Sequence, residues 1–144
     1  MPFVKVWIHF VWSTKNREPF LNKEIRPQVF RRIRENAQKK GIFLDHINGY
    51  VDHVHCLISL GTDQKISDIM RLIKGESSFW INRNKLSNFR FEWQDEHFAV
   101  SVGESIVDRV RDYIKNQERH HRRKTLQDEY DEMIEKYGFG RFKD

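Results

Sequence analysis

The chain of 144 residues is 38% hydrophobic and 13% aromatic, which is enough to form a core and excludes wholesale disorder. Its apolar runs fall short of the roughly 20 residues that a membrane helix needs, and its single cysteine excludes an internal disulfide and a CxxC zinc cluster. The net charge of +5 favours an anionic partner. We expect one domain over residues 1–144, located in the cytoplasm because the N-terminus lacks a secretory signal pattern.

The first predicted strand runs from Phe3 to Trp12, where β-branched and aromatic residues predominate. We interpret His9 on this strand as a local polar residue rather than a metal ligand. The polar segment from Ser13 to Pro19 predicts a loop. Lys15 and Arg17 in this loop are candidates for contacts with phosphate groups, and simple solvent exposure is the alternative for both.

A helix is predicted over residues 23–40, where apolar side chains recur every four positions. Asn22 is a candidate N-cap for this helix, and Gly41 suits its C-terminal end. A strand over residues 42–47 follows, and then Asn48-Gly49, the strongest short signal for a hairpin turn. The hairpin makes this strand the antiparallel neighbour of the next one.

The next strand spans Tyr50 to Leu60 and carries two histidines. Because side chains alternate along a strand, His53 and His55 project from the same face, roughly 7 Å apart. Two imidazoles held in this way form half of a metal site. The alternative is a pair of hydrogen-bonded core histidines, and this stretch alone leaves both interpretations open.

A second helix is predicted over residues 65–84, with Arg71 and Lys74 outside its apolar stripe. Gly75 inside this helix costs ~1 kcal/mol relative to alanine, so we expect close packing at that position. Residues 89–102 then predict a further strand, bent or interrupted around Asp95–His97.

The predicted order is strand, helix, strand, strand, helix, strand. This order is that of the ferredoxin-like split βαβ arrangement, an α+β fold with an antiparallel sheet and both helices on one face. The histidine pair lies on the opposite face, which another element must cover or where a ligand must bind.

A third helix, predicted from about Ile106 to His121, places Tyr113 and Gln117 one turn apart on one face. A tyrosine hydroxyl can attack phosphorus and hold the product covalently. Tyr113 is preferred as the nucleophile because it shares its face with Gln117. The other three tyrosines compete with it. Tyr50 is expected on the core side of the histidine strand. Tyr130 and Tyr137 are expected to pack in a last helix over residues 126–137.

Two segments carry a resemblance to a known family. His53-Val54-His55 resembles the His-hydrophobe-His (HUH) motif, and residues 113–117 resemble the Tyr-x-x-x-Gln helix, of the single-tyrosine HUH transposases. These are insertion-sequence transposases that move as single-stranded DNA, together with their REP-associated relatives. The resemblance extends over nearly the whole chain through the segments 9–15, 49–55, 73–78 and 118–122.

The resemblance implies roles for individual residues. His53, His55 and Gln117 are expected to bind Mg²⁺ or Mn²⁺, and Tyr113 to form a 5′-phosphotyrosine that frees a 3′-OH. The expected substrate is single-stranded DNA with hairpins, with no membrane and no small-molecule cofactor involved. The expected assembly is a homodimer whose sites can pair the histidines of one subunit with the tyrosine helix of the other. The cations expected to contact DNA are Lys15, Arg17, Arg71, Lys74, Arg119, Arg122 and Arg123.

Two other functions fit parts of the sequence. A non-catalytic protein that binds single-stranded nucleic acid would use the basic residues and exposed aromatics on the open sheet face, with no need for a metal. A zinc hydrolase would use the two histidines and another histidine, but it would leave Tyr113 and Gln117 without a role.

Overall fold

The computed structural model describes residues 3–121 and 124–137. The strands within these residues are β1 (Val6–Thr14), β2 (Phe43–Gly49), β3 (His53–Leu60) and β4 (Trp93–Val102). The helices are α1 (Ile25–Lys39), α2 (Ile66–Arg83), α3 (Val107–Lys115), α4 (Gln117–His121) and α5 (Leu126–Tyr137). Among these helices, none combines the length and the apolar character needed to cross a bilayer.

The four strands form one antiparallel sheet in the order β2-β3-β1-β4. This order, with one helix after β1 and another after β3, confirms the predicted ferredoxin-like α+β fold. The buried side chains of α1 and α2 join those of one sheet face in a single core. The buried strand residues of this core are Ile8, Phe10, Trp12, Leu44, Val54, Cys56, Ile58 and Trp93.

The helix α1 follows the predicted pattern closely. Its buried stripe includes Val29, Ile33 and Ala37, and burial of each larger aliphatic side chain contributes about 1.5–3 kcal/mol. The side-chain oxygen of Asn22 accepts hydrogen bonds from two backbone amides at the start of the helix, at 3.0 and 2.9 Å. Gly41 ends the helix with φ of 72°, the left-handed conformation that glycine adopts without strain.

The second sheet face is covered by α3. Trp7, Leu57 and Val102 of the sheet pack against Val107 and Ile114 of the helix in a smaller cluster. Of the two alternatives for this face, a covering element is therefore present, and it is the helix that carries the tyrosine.

Polar contacts fasten α3 to β2 as well. The Arg111 guanidinium donates to both carboxylate oxygens of Asp45, at 2.8 and 3.0 Å, and holds the pKa of that carboxyl below its usual range. The side-chain amide of Asn48 donates to the backbone carbonyl of Lys115 at 3.1 Å. These contacts fix the position of the tyrosine helix relative to the histidine strand.

The β2–β3 hairpin is antiparallel as predicted, but the predicted turn is wrong. Asn48 and Gly49 pair within the ladder with His55 and Val54, and the chain reverses at residues 50–52. The glycine is needed for a different reason, because a Cβ at position 49 would lie 2.1 Å from the carbonyl oxygen of His53.

The helix predicted from Ile106 to His121 is divided in the structure. Asn116, with φ −101° and ψ 25°, separates α3 from α4. Across this break the side-chain amide of Gln117 donates to the backbone carbonyl of Tyr113 at 3.2 Å. The tyrosine and the glutamine thus remain neighbours although they belong to two helices.

The last strand starts later than predicted, at Trp93. It continues through residues 95–97, but its pairing with β1 shifts there. His97 pairs with Trp12 and Trp93 with Thr14, so residues 94–96 of β4 lie opposite Ser13 alone. The predicted irregularity is therefore a bulge rather than an interruption.

Candidate active site

The two histidines of β3 are completely buried on the face covered by α3, with ring centroids 5.1 Å apart. His53 Nδ1 lies 2.9 Å from a carboxylate oxygen of Asp52, so Nδ1 carries the proton and donates it. His55 Nδ1 lies 2.9 Å from His9 Nε2. Both Nδ1 atoms therefore have partners, and both Nε2 atoms are left to face α4 and α5.

Burial keeps this part of the site uncharged. It lowers the pKa of His9 to about 3 and that of His55 to about 4, so both rings are neutral at pH 7. Neutral imidazole is the form that binds metal ions. His9 contacts Nδ1 of His55, the ring nitrogen that faces away from α4 and α5. This contact fits the interpretation of His9 as a local polar residue.

The carboxylate of Glu129 on α5 lies at the centre of the histidines, with 1% of its side chain exposed. Its Oε1 accepts a hydrogen bond from His55 Nε2 at 2.7 Å, and its Oε2 lies 3.2 Å from His121 Nε2. Burial alone would raise the pKa of Glu129, but the hydrogen bonds from His121 and His55 hold it well below its usual range. Glu129 is thus a buried anion.

Four buried residues converge at this point. His53, His55, His121 and Glu129 each offer one ligand atom, and these atoms all lie within 4.8 Å of one another. Imidazole nitrogen and carboxylate oxygen together suit divalent transition metals. Sequence reasoning missed Glu129 and His121: the histidine lies among the cations of residues 119–124, and the glutamate is one of several acidic residues on α5.

Gln117 lies beside the histidine strand. It is fully buried, and its Oε1 lies 3.2 Å from His53 Nε2. Glu129 Oε1 lies 3.5 Å from the same nitrogen. In the neutral ring, whose proton is on Nδ1, the lone pair of Nε2 faces two oxygen acceptors. Such a convergence of lone pairs is stabilised by a bound cation or by a second proton on the ring.

Tyr113 belongs to the same cluster. Its hydroxyl donates to Glu129 Oε2 and lies 3.4 Å from His120 Nε2. Its ring packs edge-on against His55, with 5.5 Å between centroids. Burial, together with the charge of Glu129, raises the pKa of the phenol above its ordinary value, so the hydroxyl keeps its proton.

Two of the competing tyrosines can be placed. Tyr50 stacks on His121 at 5.4 Å, so the expected position on the core side is wrong; the residue lies in the turn, where strand alternation does not apply. Tyr130 packs edge-on against Phe98 at 4.6 Å, as expected for a packing residue. The side chain of Tyr137 lies outside the described residues.

The cations predicted to contact DNA fall on different surfaces. Exposed Lys15 pairs with Glu92 at 3.0 Å, and the exposed Arg17 guanidinium lies 5.3 Å from the ring centroid of Tyr130. Arg119 is exposed on α4. Two further predicted cations, Arg122 and Arg123, lie outside the described residues.

The other two predicted cations lie on α2, away from the histidine face. Arg71 pairs with Asp68 at 2.5 Å, and Lys74 donates to the backbone carbonyl of Asp95 at 3.0 Å. The structure therefore does not bring all the predicted DNA contacts to one site.

Comparison with known proteins gives consistent matches. The family described as "Transposase IS200 like" matches residues 3–117. The ISDra2 transposase TnpA of Deinococcus radiodurans is 25% identical over 114 residues, covering 76% of this chain and 81% of the relative. The transposase for insertion sequence element IS200 of Salmonella typhimurium is 24% identical over 115 residues, covering 76% and 74%.

Two solved structures share the fold. A Deinococcus radiodurans R1 protein described as a transposase has a TM-score of 0.63 and 24% identity, covering 81% of this chain and 93% of its own. A REP-associated tyrosine transposase bound to a REP hairpin has a TM-score of 0.64 and 17% identity, covering 84% and 72%. His121 and Glu129 lie beyond the residues that the family matches.

Proposed function

We propose a specific reaction for this chain, which belongs to the IS200-like transposase family: it cleaves and rejoins single-stranded DNA at hairpin-containing ends through a 5′-phosphotyrosine on Tyr113. The observation that carries this proposal is the shared carboxylate of Glu129, which contacts both the hydroxyl of Tyr113 and the histidine pair. The relative described as bound to a REP hairpin supports a hairpin substrate.

In the proposed cleavage, the phenolic oxygen of Tyr113 forms a bond to phosphorus while the bond between phosphorus and the 3′ oxygen breaks. The phenolic proton passes to Glu129, which already accepts its hydrogen bond. The same proton then moves to the departing 3′ oxygen and yields the free 3′-OH. The reverse sequence rejoins the strand.

Of the two expected ions, Mg²⁺ and Mn²⁺, the histidine-rich donor set fits the transition metal Mn²⁺ better. His53 is the best-prepared ligand, because Asp52 fixes its proton on Nδ1 and the lone pair of Nε2 meets the oxygens of Gln117 and Glu129. His55 and His121 would complete the set. A bound divalent ion would supply positive charge that polarises a non-bridging phosphate oxygen.

The structure also bears on the two other functions. The sheet face that a non-catalytic binder would use is covered by α3. A zinc hydrolase gains a third histidine in His121, and this observation favours it as the second candidate. Such a hydrolase does not need the hydroxyl of Tyr113.

The experiment that separates these functions is incubation of the protein with labelled hairpin oligonucleotides and Mn²⁺ or Mg²⁺, followed by a denaturing gel. We expect a covalent protein–DNA species with the native chain and none with Tyr113→Phe or in EDTA. Cleavage by Tyr113→Phe without an adduct would instead indicate a hydrolase, and full cleavage in EDTA would refute the metal site.

We also propose that the protein acts as a homodimer. Among residues 3–121 and 124–137, no strand pairs with the outer edges of β2 and β4, and such edges favour association unless they are protected. Twofold dimers dominate among soluble oligomers. Sedimentation should give about 35 kDa, twice the chain mass of 17.6 kDa, whereas a monomer that still cleaves DNA would refute the proposal.

A further inference from the structure

The glycine inside α2 has no explanation within the described part of the chain. Gly75 lies in the middle of the helix Ile66–Arg83, where glycine is unfavourable relative to alanine. The sequence suggested close packing at this position, but that expectation is wrong: a Cβ built there meets no heavy atom within 4 Å among the described residues. The missing side chain therefore leaves open space outside the helix.

That space is part of a groove between α2 and the residues that begin β4, with a volume of about 690 Å³. This is within the roughly 300–1,000 Å³ typical of ligand pockets. We call it the α2–β4 groove. Residues that define it include Arg71, Lys74, Gly75, Phe79, Arg90 and Trp93.

The side chains around Gly75 have a regular arrangement. Arg71, Gly75 and Phe79 follow one another at four-residue intervals and so lie along one stripe of the helix. Phe79 is 61% exposed, so its ring is accessible from solvent. The stripe therefore offers a cation, a gap and an exposed aromatic ring in that order.

Charge in the groove favours an anion. Lys74 is half-buried, and its ammonium donates to a backbone carbonyl at 3.0 Å rather than to a carboxylate. Arg71 and Arg90 bring the cations of the lining to three, and Arg71 also pairs with exposed Asp68. The lining contains two acidic residues, Glu92 and Asp95. The charge of Glu92 is balanced by its ion pair with Lys15.

We infer that the α2–β4 groove binds a single-stranded stretch of the DNA substrate, with a base stacked on Phe79, the sugar over Gly75 and phosphate beside Lys74 and Arg71. Cationic side chains that follow the backbone, combined with an aromatic side chain under a base, are the usual means of holding single strands. The groove lies on the sheet face opposite the histidines, so it is a second DNA contact. The inference rests on the proposed function for its choice of ligand.

The first test uses Gly75→Leu with Gly103→Leu as its control, because a Cβ at Gly103 also meets nothing within 4 Å. Leucine is a strong helix former, so Gly75→Leu should raise the melting temperature by about 2–4 °C. The same variant should weaken binding of a labelled single-stranded oligonucleotide on the order of tenfold, measured in EDTA. Weaker binding by a more stable protein cannot come from unfolding.

The second test separates stacking from charge. Phe79→Ala should weaken binding roughly five- to 150-fold, the range found when a stacked aromatic is removed. Phe43→Ala is the control, because Phe43 is also 61% exposed but lies on β2. Lys74→Gln should reduce the slope of log affinity against log salt concentration by about 0.7, the value for one phosphate contact on a single strand.

The outcomes distinguish this inference from the proposed reaction. Unchanged oligonucleotide affinity in Gly75→Leu and Phe79→Ala would overturn the groove while leaving the tyrosine adduct assay intact. Loss of affinity in both variants would support the groove even if the native chain formed no adduct. A change in sedimentation rather than in affinity would assign the groove to a second copy of the chain and overturn the inference.

Discussion

The proton on His53 is fixed by one neighbour. Its Nδ1 donates to Asp52 at 2.9 Å, and this leaves the lone pair of Nε2 directed at the oxygens of Gln117 and Glu129. The arrangement is the one by which a carboxylate behind a histidine sets both the tautomer and the orientation of a metal ligand.

We therefore predict that Asp52→Ala lowers the affinity for Mn²⁺ about 10–100-fold, the usual cost of removing such a partner. Calorimetric titration of the metal measures the effect. Asp63→Ala, which removes an exposed carboxylate in the loop before α2, serves as the control. Equal affinities in both variants would mean that Asp52 does not orient the histidine.

The two oxygen donors near His53 differ in charge. Glu129 is a buried anion, whereas Gln117 offers a neutral amide oxygen. We predict that Glu129→Gln lowers Mn²⁺ affinity more than Gln117→Ala does, because a carboxylate contributes more to a divalent site and water can replace the amide. The reverse order of the two oxygen variants would show that Glu129 is not a ligand.

His53→Ala should abolish adduct formation while hairpin binding persists.

At the scale of elements, an ion pair with β2 holds α3, the helix that carries Tyr113, in position. Arg111 of α3 donates twice to Asp45 of β2 and also to Asp108 at 2.8 Å. The two carboxylates differ in exposure, with 13% for the Asp45 side chain and 92% for that of Asp108. Only the less exposed one links two elements that are distant in sequence.

This pair predicts a pH dependence of stability. The hydrogen bond from Arg111 lowers the pKa of Asp45 in the folded protein. Its stabilising effect is therefore present above the unfolded pKa, near 4, and is lost as the pH falls through the folded value. In urea unfolding at several pH values, Asp45→Asn should be less stable than the native chain at pH 7, with a difference that shrinks below about pH 4. Asp108→Asn should match the native chain throughout, and a constant deficit for Asp45→Asn would contradict the ionic origin.

The elements also show where sequence patterns are sufficient. Alternation on β3 correctly placed His53 and His55 on one face, and the four-residue period on α1 correctly gave its buried stripe, because both depend on local geometry. The turn predicted at Asn48-Gly49 was wrong because a glycine can be required for two different reasons. Gly49 is required by the close approach of two backbones, and the sequence alone does not distinguish such a glycine from one in a turn. The break at Asn116 has no strong breaker in the sequence.

Glu129 could not be predicted for a different reason. Its partner His55 is 74 residues away in the chain, and α5 has several other acidic residues with the same local signal. Only the packing of α5 against the histidine face selects one carboxylate. Long-range contacts of this kind leave no periodic trace in the sequence.

For the whole molecule, the important feature is that a single chain brings the tyrosine and the histidines together. Tyr113, Gln117 and both histidines contact one another or a shared carboxylate within one copy. We therefore predict that mixing Tyr113→Phe with His53→Ala chains restores no adduct formation. Adduct formation by the mixture, on a denaturing gel, would show that two copies exchange their tyrosine helices and form composite sites.

The distance in sequence between β3 and Glu129 also sets the order in which the molecule becomes competent during synthesis. Residues that emerge early can pair the four strands and bury the histidines, since chains fold from the N-terminus as they are made. The carboxylate arrives with α5, which follows all four strands and the other described helices. A nascent protein should therefore have a formed sheet and nearly complete histidine face while still lacking its buried anion. Arrested chains ending at residue 125 should bind Mn²⁺ more weakly than chains that include α5, and equal binding would contradict this order of maturation.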